Sequence, residues 1–316
     1  MTNRAATLLT NLLLATTTTT TTRALHQTAT CKTMKTIKEI FPKPRAHWVG
    51  DGFRVYPVFG TSAFSEKISP FLMFDYAQPK GFPPTMKQLG VGRHPHRGFS
   101  TITLAMAGEI EHSDDKGHRD VIGPGDVQWM RAGRGIVHDE FHSKNFQKTG
   151  GTLEMCQLWL DLPKDKKMSE PAYQPILQRD VPRFDFPGGY VRIIAGTHQG
   201  VRGPADSESP VELFHVVCQS EEDVTVTLDS PNAHNALVFA ARGTLTFEDG
   251  AQIHESQVAL LNHDGDEVSF SASPNAQILL MGGEPLNQPI VNHGPFVMTT
   301  QADVEQAFDD YYAGNF

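Results

Sequence analysis

The second half of this chain repeats the first in outline, and that echo limits the fold more than any single motif does. "LAMAGEIEH" at 104–112 parallels "VFAARGTLTFED" at 238–249, and "VIGPGDVQWM" at 121–130 parallels "ALLNHDGDEVSF" at 259–270. In each half a strand-like run meets a glycine turn, and a later strand follows a Gly-Asp turn. Two β-units of comparable size in 316 residues imply an internal duplication. The local pattern agrees with this. "FSTITLAM" alternates, with Ile102, Leu104 and Met106 on one face, and "GIVHDEF" and "EMCQLWLDL" read as further short strands. Close-spaced short strands with glycine punctuation predict an all-β sandwich or barrel in each half.

The boundaries follow from composition. A Pro- and charge-rich stretch within 162–189 interrupts the strand pattern, so residues 34–165 are expected to form one barrel and 190–316 a second, joined by a connector at 166–189. The clear helix candidate is C-terminal. In "QADVEQAFDDYY" the residues Val304, Ala307, Phe308, Tyr311 and Tyr312 recur at helical spacing. Residues 1–33 do not read as fold. "MTNRAATLLTNLLLATTTTTTTRALHQTAT" has two arginines, no acid and seven consecutive threonines. That composition suits an organellar transit peptide; a weak secretory signal, a disordered tail or an extension upstream of Met34 are the other readings. Without targeting, the cytoplasm or nucleus is expected.

Charge and cysteine narrow the function classes. The first 50 residues carry seven Lys or Arg against one Glu, which leaves 20 basic and 35 acidic residues beyond them. A body that acidic repels a phosphate backbone, so no direct nucleic-acid partner is expected. No apolar run reaches the roughly 20 residues of a membrane-spanning helix, so no membrane partner is expected either. Three cysteines without a CxxC spacing make a poor disulfide framework, and Cys156 and Cys218 read as two buried thiols in a reducing compartment.

The chemistry lies in the first half. Six of the fourteen histidines fall within 94–142: His94, His96, His112, His118, His138 and His142. Residues i and i+2 of a strand share a face, so His94 points with His96, and His138 with Glu140. Two such pairs on neighbouring strands bring together three imidazoles and a carboxylate, a donor set for a first-row transition metal with a coordination position left open. The other candidates read more plainly. His142 is expected at an exposed strand end, and His112 and His118 beside a solvated turn. Trp129 and Trp159 are expected in the core, and Arg97 beside the site or on the surface. In the second half His215, His234, His254 and His263 stand singly, which predicts a barrel without metal.

"RHPHRGFSTIT", "GPGDVQWMRAGRGIVHDE", "QLWLDLP" and "GGEPLNQPIVNHGPFVM" together resemble the pirin family, a bicupin group of the cupin superfamily, over nearly all of the chain from Met34 onward. The resemblance implies two stacked jelly-roll barrels with a short C-terminal helix. It implies Fe(II), or another divalent transition metal, in the first barrel, held by His94, His96, His138 and Glu140. It also implies a function: 2,3-dioxygenation of a quercetin-type flavonol with O2, Glu140 serving as ligand or as the base that takes the 3-hydroxyl proton. The alternative it implies is an iron-dependent redox sensor that binds a transcription factor as a co-regulator. One departure stands out. Many cupins carry Glu a few residues after His-x-His, where this chain has Ser100.

Overall fold

The computed structural model describes residues 32–60 and 62–316. Most of the expected targeting tail, residues 1–31, lies outside the described residues. Two residues of the expected tail belong instead to the folded body. Lys32 pairs with Asp229 and Glu267, and the carbonyl of Thr33 accepts from the amides of Asp266 and Glu267.

Each half is a sandwich of a seven-stranded and a four-stranded antiparallel sheet, the jelly-roll arrangement. In the first half the large sheet is centred on Phe99–Ala107, Gly151–Asp161 and Phe71–Phe82. Its smaller partner runs in the order Gly90–His96, Ile136–His142, Ile110–Asp114, Arg119–Ile122. In the second half the large sheet is centred on Asn235–Arg242, Gln277–Gly283 and Val211–Cys218, and the small one contains Val224–Asp229 and Glu267–Ala272.

The two large sheets face each other. Phe74, Tyr76, Ile102, Leu104 and Leu158 of the first half share one apolar cluster with Leu213, Leu237, Phe239, Leu279 and Met281 of the second. These strands are covered on both sides, by their own barrel and by the other, so Asn235–Arg242 is buried at seven successive positions. The small sheets cover one side each. Ile136–His142 alternates buried and half-buried residues without a break.

The expected connector is built into the sheets. Ala172–Ile176 pairs with Val127–Arg131 of the first half, and Arg183–Phe186 pairs with Gly189–Ala195 of the second. The ends of the chain also cross the boundaries drawn at 34–165 and 190–316. Ile37–Phe41 pairs with Val258–Leu261 in the second half's large sheet. The C-terminal helix Gln301–Ala313 follows Phe296–Met298, which bridges back to Arg97. Arg97 is therefore not on the surface but buried next to His96. It is 2% exposed, donates 2.7 Å to Asp310 and lies under the Phe316 ring.

The inner faces of the two barrels differ. That of the second is a packed apolar cluster of Val191, Ile193, Phe214, Val216, Leu228 and Phe270 among others. That of the first is polar around the histidines.

Candidate metal centre

The ligand strands are adjacent. Gly90–His96 pairs antiparallel with Ile136–His142, with His138 directly opposite His94 and Ile136 opposite His96. A register shift between His138 and Glu140 bends the strand at this point, where a bulge re-aims side chains. The rings of His94, His96 and His138 gather with centroids 4.3–4.9 Å apart. One nitrogen from each lies within 4.8 Å of the others, and no other group of three or more His, Cys, Asp or Glu comes this close among the described residues.

The rings are prepared as ligands. Nδ1 of His94 donates to the Gly92 carbonyl at 2.8 Å, which leaves the Nε2 lone pair free. His96 and His138 are buried, and burial, reinforced by neighbouring imidazoles, holds both well below the ordinary histidine range, so both rings are neutral. Their Nδ1 and Nε2 atoms respectively are buried and have no partner. A buried polar nitrogen without a partner is costly unless something else satisfies it. A transition metal bound by neutral imidazoles would do so, and the donor set fits Fe, Zn, Cu or Ni.

Glu140 stands beside this group, outside the 4.8 Å set. It is 4% exposed and its carboxylate accepts from Gln157 Nε2 on both oxygens, at 2.9 and 3.2 Å, and from the Thr103 hydroxyl at 3.3 Å. Gln157 belongs to a polar row across the large sheet. Asp75, Gln157, Thr103 and Gln128 are successive cross-strand partners on one face. Five of the buried atoms without a partner sit on this inner face or among the histidines: His96 Nδ1, His138 Nε2, Thr101 Oγ1, Gln128 Oε1 and Trp159 Nε1. The first barrel thus encloses unsatisfied polar groups where the second encloses hydrocarbon.

Several plain readings change in the structure. Trp129 is core, 2% exposed, but the Trp159 ring lies 5.2 Å from His96 with its indole N–H unpaired. His142 is not an exposed strand end. It is 1% exposed, donates to the Gly52 carbonyl at 2.9 Å and packs against Phe53, Phe82 and Phe146. His112 is not solvated either: it is 1% exposed and its ring reaches His138. Its signal in the sequence was alternation with Ile110, which puts it two residues along a strand from a buried position. Ser100 faces away, lining a recess with Trp129, Arg131 and Leu160, while Thr101 takes the inward face opposite Trp159. A carboxylate at 100 would therefore not point at the histidines.

Comparison with known proteins gives a consistent picture. The family model described as Pirin matches residues 52–160, and the one described as Pirin C-terminal cupin domain matches residues 215–316. A Pseudomonas aeruginosa protein named "Putative quercetin 2,3-dioxygenase" is 45% identical over 285 residues, covering 90% of this chain and 99% of its own. Pirin-like protein 2 of Arabidopsis thaliana is 34% identical, covering 88% of this chain and 84% of its own. The crystal structure of quercetin 2,3-dioxygenase from Acinetobacter baumannii superimposes with a TM-score of 0.87 at 40% identity, covering 90% of this chain and 99% of that one.

Proposed function

The chain belongs to the pirin family, and on that premise we propose that its first barrel holds one iron and oxidises a quercetin-type flavonol with O2. The observation that carries this reading is the cluster of His94, His96 and His138, with two buried ring nitrogens unpaired and facing a polar interior. The relatives named as quercetin 2,3-dioxygenases support the substrate class. Iron bound there would supply Lewis acidity and one-electron chemistry at an open coordination position.

The chain's own groups do the rest. Glu140 is a buried carboxylate two residues along the strand from His138, and Gln157 fixes its orientation through two hydrogen bonds. It either completes the ligand set or takes the proton from the substrate's 3-hydroxyl, the role a positioned carboxylate plays as general base. The Trp159 N–H and Thr101 hydroxyl, both unpaired, are the groups that would meet the oxygens of a flat polyphenol. The tight burial around His96 and His138 keeps bulk water from the reacting centre.

Oxygen uptake by iron-loaded protein with a flavonol panel tests the reading. With activity normalised to bound iron, Glu140→Gln should lower turnover by roughly 10²–10⁴-fold. A rate per iron equal to wild type would remove Glu140 from the chemistry. An iron-loaded wild type that consumes no oxygen with any flavonol would contradict the enzyme reading and favour the iron sensor.

A further inference from the structure

Behind His138 a second line of polar groups runs away from the His94–His96–His138 cluster. Its Nδ1 lies 3.3 Å from Nδ1 of His112 on the neighbouring strand Ile110–Asp114. The Nε2 of His112 lies 3.2 Å from Oδ2 of Asp114, whose side chain is fully buried. Asp114 is itself held by the turn that follows it. Its Oδ1 accepts from the amides of Lys116 and His118, both at 2.9 Å, and its Oδ2 lies 2.8 Å from His118 Nδ1. The His112 ring is further fixed by Gln128, whose Nε2 lies 3.1 Å from His112 Nδ1.

These contacts assign the protons in order. A carboxylate accepts, so the hydrogen of His112 sits on Nε2 and its Nδ1 is an acceptor. The amide nitrogen of Gln128, which only donates, faces the same Nδ1 and agrees with this assignment. The His138 Nδ1 facing this acceptor must then carry the hydrogen of its own ring. That leaves the lone pair of His138 on Nε2, the buried atom with no partner. The opposite tautomer would turn an N–H into the space an ion needs. His112 is not itself a ligand in this arrangement, because its Nδ1 is taken by Gln128 and His138.

We propose that Asp114, acting through His112, is the positioning group of the metal centre, fixing His138 in the tautomer that presents Nε2 to the ion. The proposal rests on the metal reading above. Partners of this kind orient a ligating imidazole and raise its basicity, and their loss weakens metal binding by about 10–100-fold.

Co(II) serves as the probe, with affinity measured by chelator competition and the visible spectrum recorded for wild type, His112→Phe, His112→Gln and Asp114→Asn. His112→Phe and Asp114→Asn should bind Co(II) about 10–100-fold more weakly. His112→Gln, which keeps an oxygen able to accept from His138, should recover much of the loss. The melting temperatures of the metal-free variants separate this effect from a folding defect. In metal-free wild type, long-range ¹⁵N–¹H correlation spectra should show His138 protonated on Nδ1, a readout that needs no variant. His138 protonated on Nε2, or His112→Phe binding within twofold of wild type, would overturn the proposal. Wild type that binds no Co(II) would overturn both this proposal and the metal reading; a wild type that binds normally while the variants match it would overturn this one alone.

Discussion

Asp75 is the inner-face residue with the clearest consequence for stability. It stands opposite Gln157 in the polar row, has no hydrogen-bond or ion-pair partner among the described residues, and burial pushes its carboxyl up to about 7. In the unfolded chain the same group titrates near 4, as ordinary aspartates do. Between about pH 4 and 7 the folded protein therefore binds a proton that the unfolded chain does not, and stability falls as the pH rises through that window. Asp75→Asn should raise stability at pH 8 by up to about 4 kcal/mol, with the gain vanishing below pH 4; urea unfolding at the two pH values reads it. An equal gain at both would show that charge burial is not the cause. The residues at the centre of the site were legible in the sequence to different degrees. His94, His96, His138 and Glu140 were visible because a two-residue period fixes which side chains share a face. His112 was not, because its role depends on a third strand that brings it opposite Glu140, and register between strands is a tertiary fact. The same limit holds at Ser100: one position along a strand reverses the face, and the inward side chain is Thr101.

Among the elements, the C-terminal helix Gln301–Ala313 is the one whose ends the sequence states most openly. Thr300 caps it, its hydroxyl accepting from the Asp303 amide at 3.1 Å, and Gly314 closes it in the left-handed conformation at φ 75°. Val304 and Ala307 are buried, and Phe308 packs edge-on against Phe296. Thr300→Ala should cost about 1 kcal/mol of stability, measured by denaturant unfolding, because one first-turn amide loses its acceptor. Unchanged stability would mean that tertiary packing alone holds the helix. Strands were legible where they are covered on one side, as in Ile136–His142, which alternates. Asn235–Arg242 of the second half's large sheet, buried on both sides, reads as a continuous apolar run, and such a run does not reveal which face is which. The segment 162–189 was unreadable for the opposite reason. Prolines and charges hid edge strands, Ala172–Ile176 and Arg183–Phe186, that each complete a sheet.

On the scale of the whole molecule, the duplication seen in the sequence is real in the architecture, but the two halves are not independent. The N-terminal strand Ile37–Phe41 completes the second half's sheet, and the C-terminal segment returns to Arg97 beside His96. Sequence patterning located both barrels because it registers short-range periodicity; it could not locate this exchange of ends, which is a pairing across more than 200 residues. The halves also divide the labour. The second has an apolar inner face, and the first gathers its three histidines, a buried carboxylate and several unpaired polar atoms. Elemental analysis of the purified full chain, wild type beside His94→Ala/His138→Ala, tests most directly for a metal at that place. The expected result is one transition metal per wild-type chain and nearly complete loss in the double variant, with both proteins folded by circular dichroism. Stoichiometric metal in the double variant, or a wild type that takes up none when supplied with Fe(II), would contradict it.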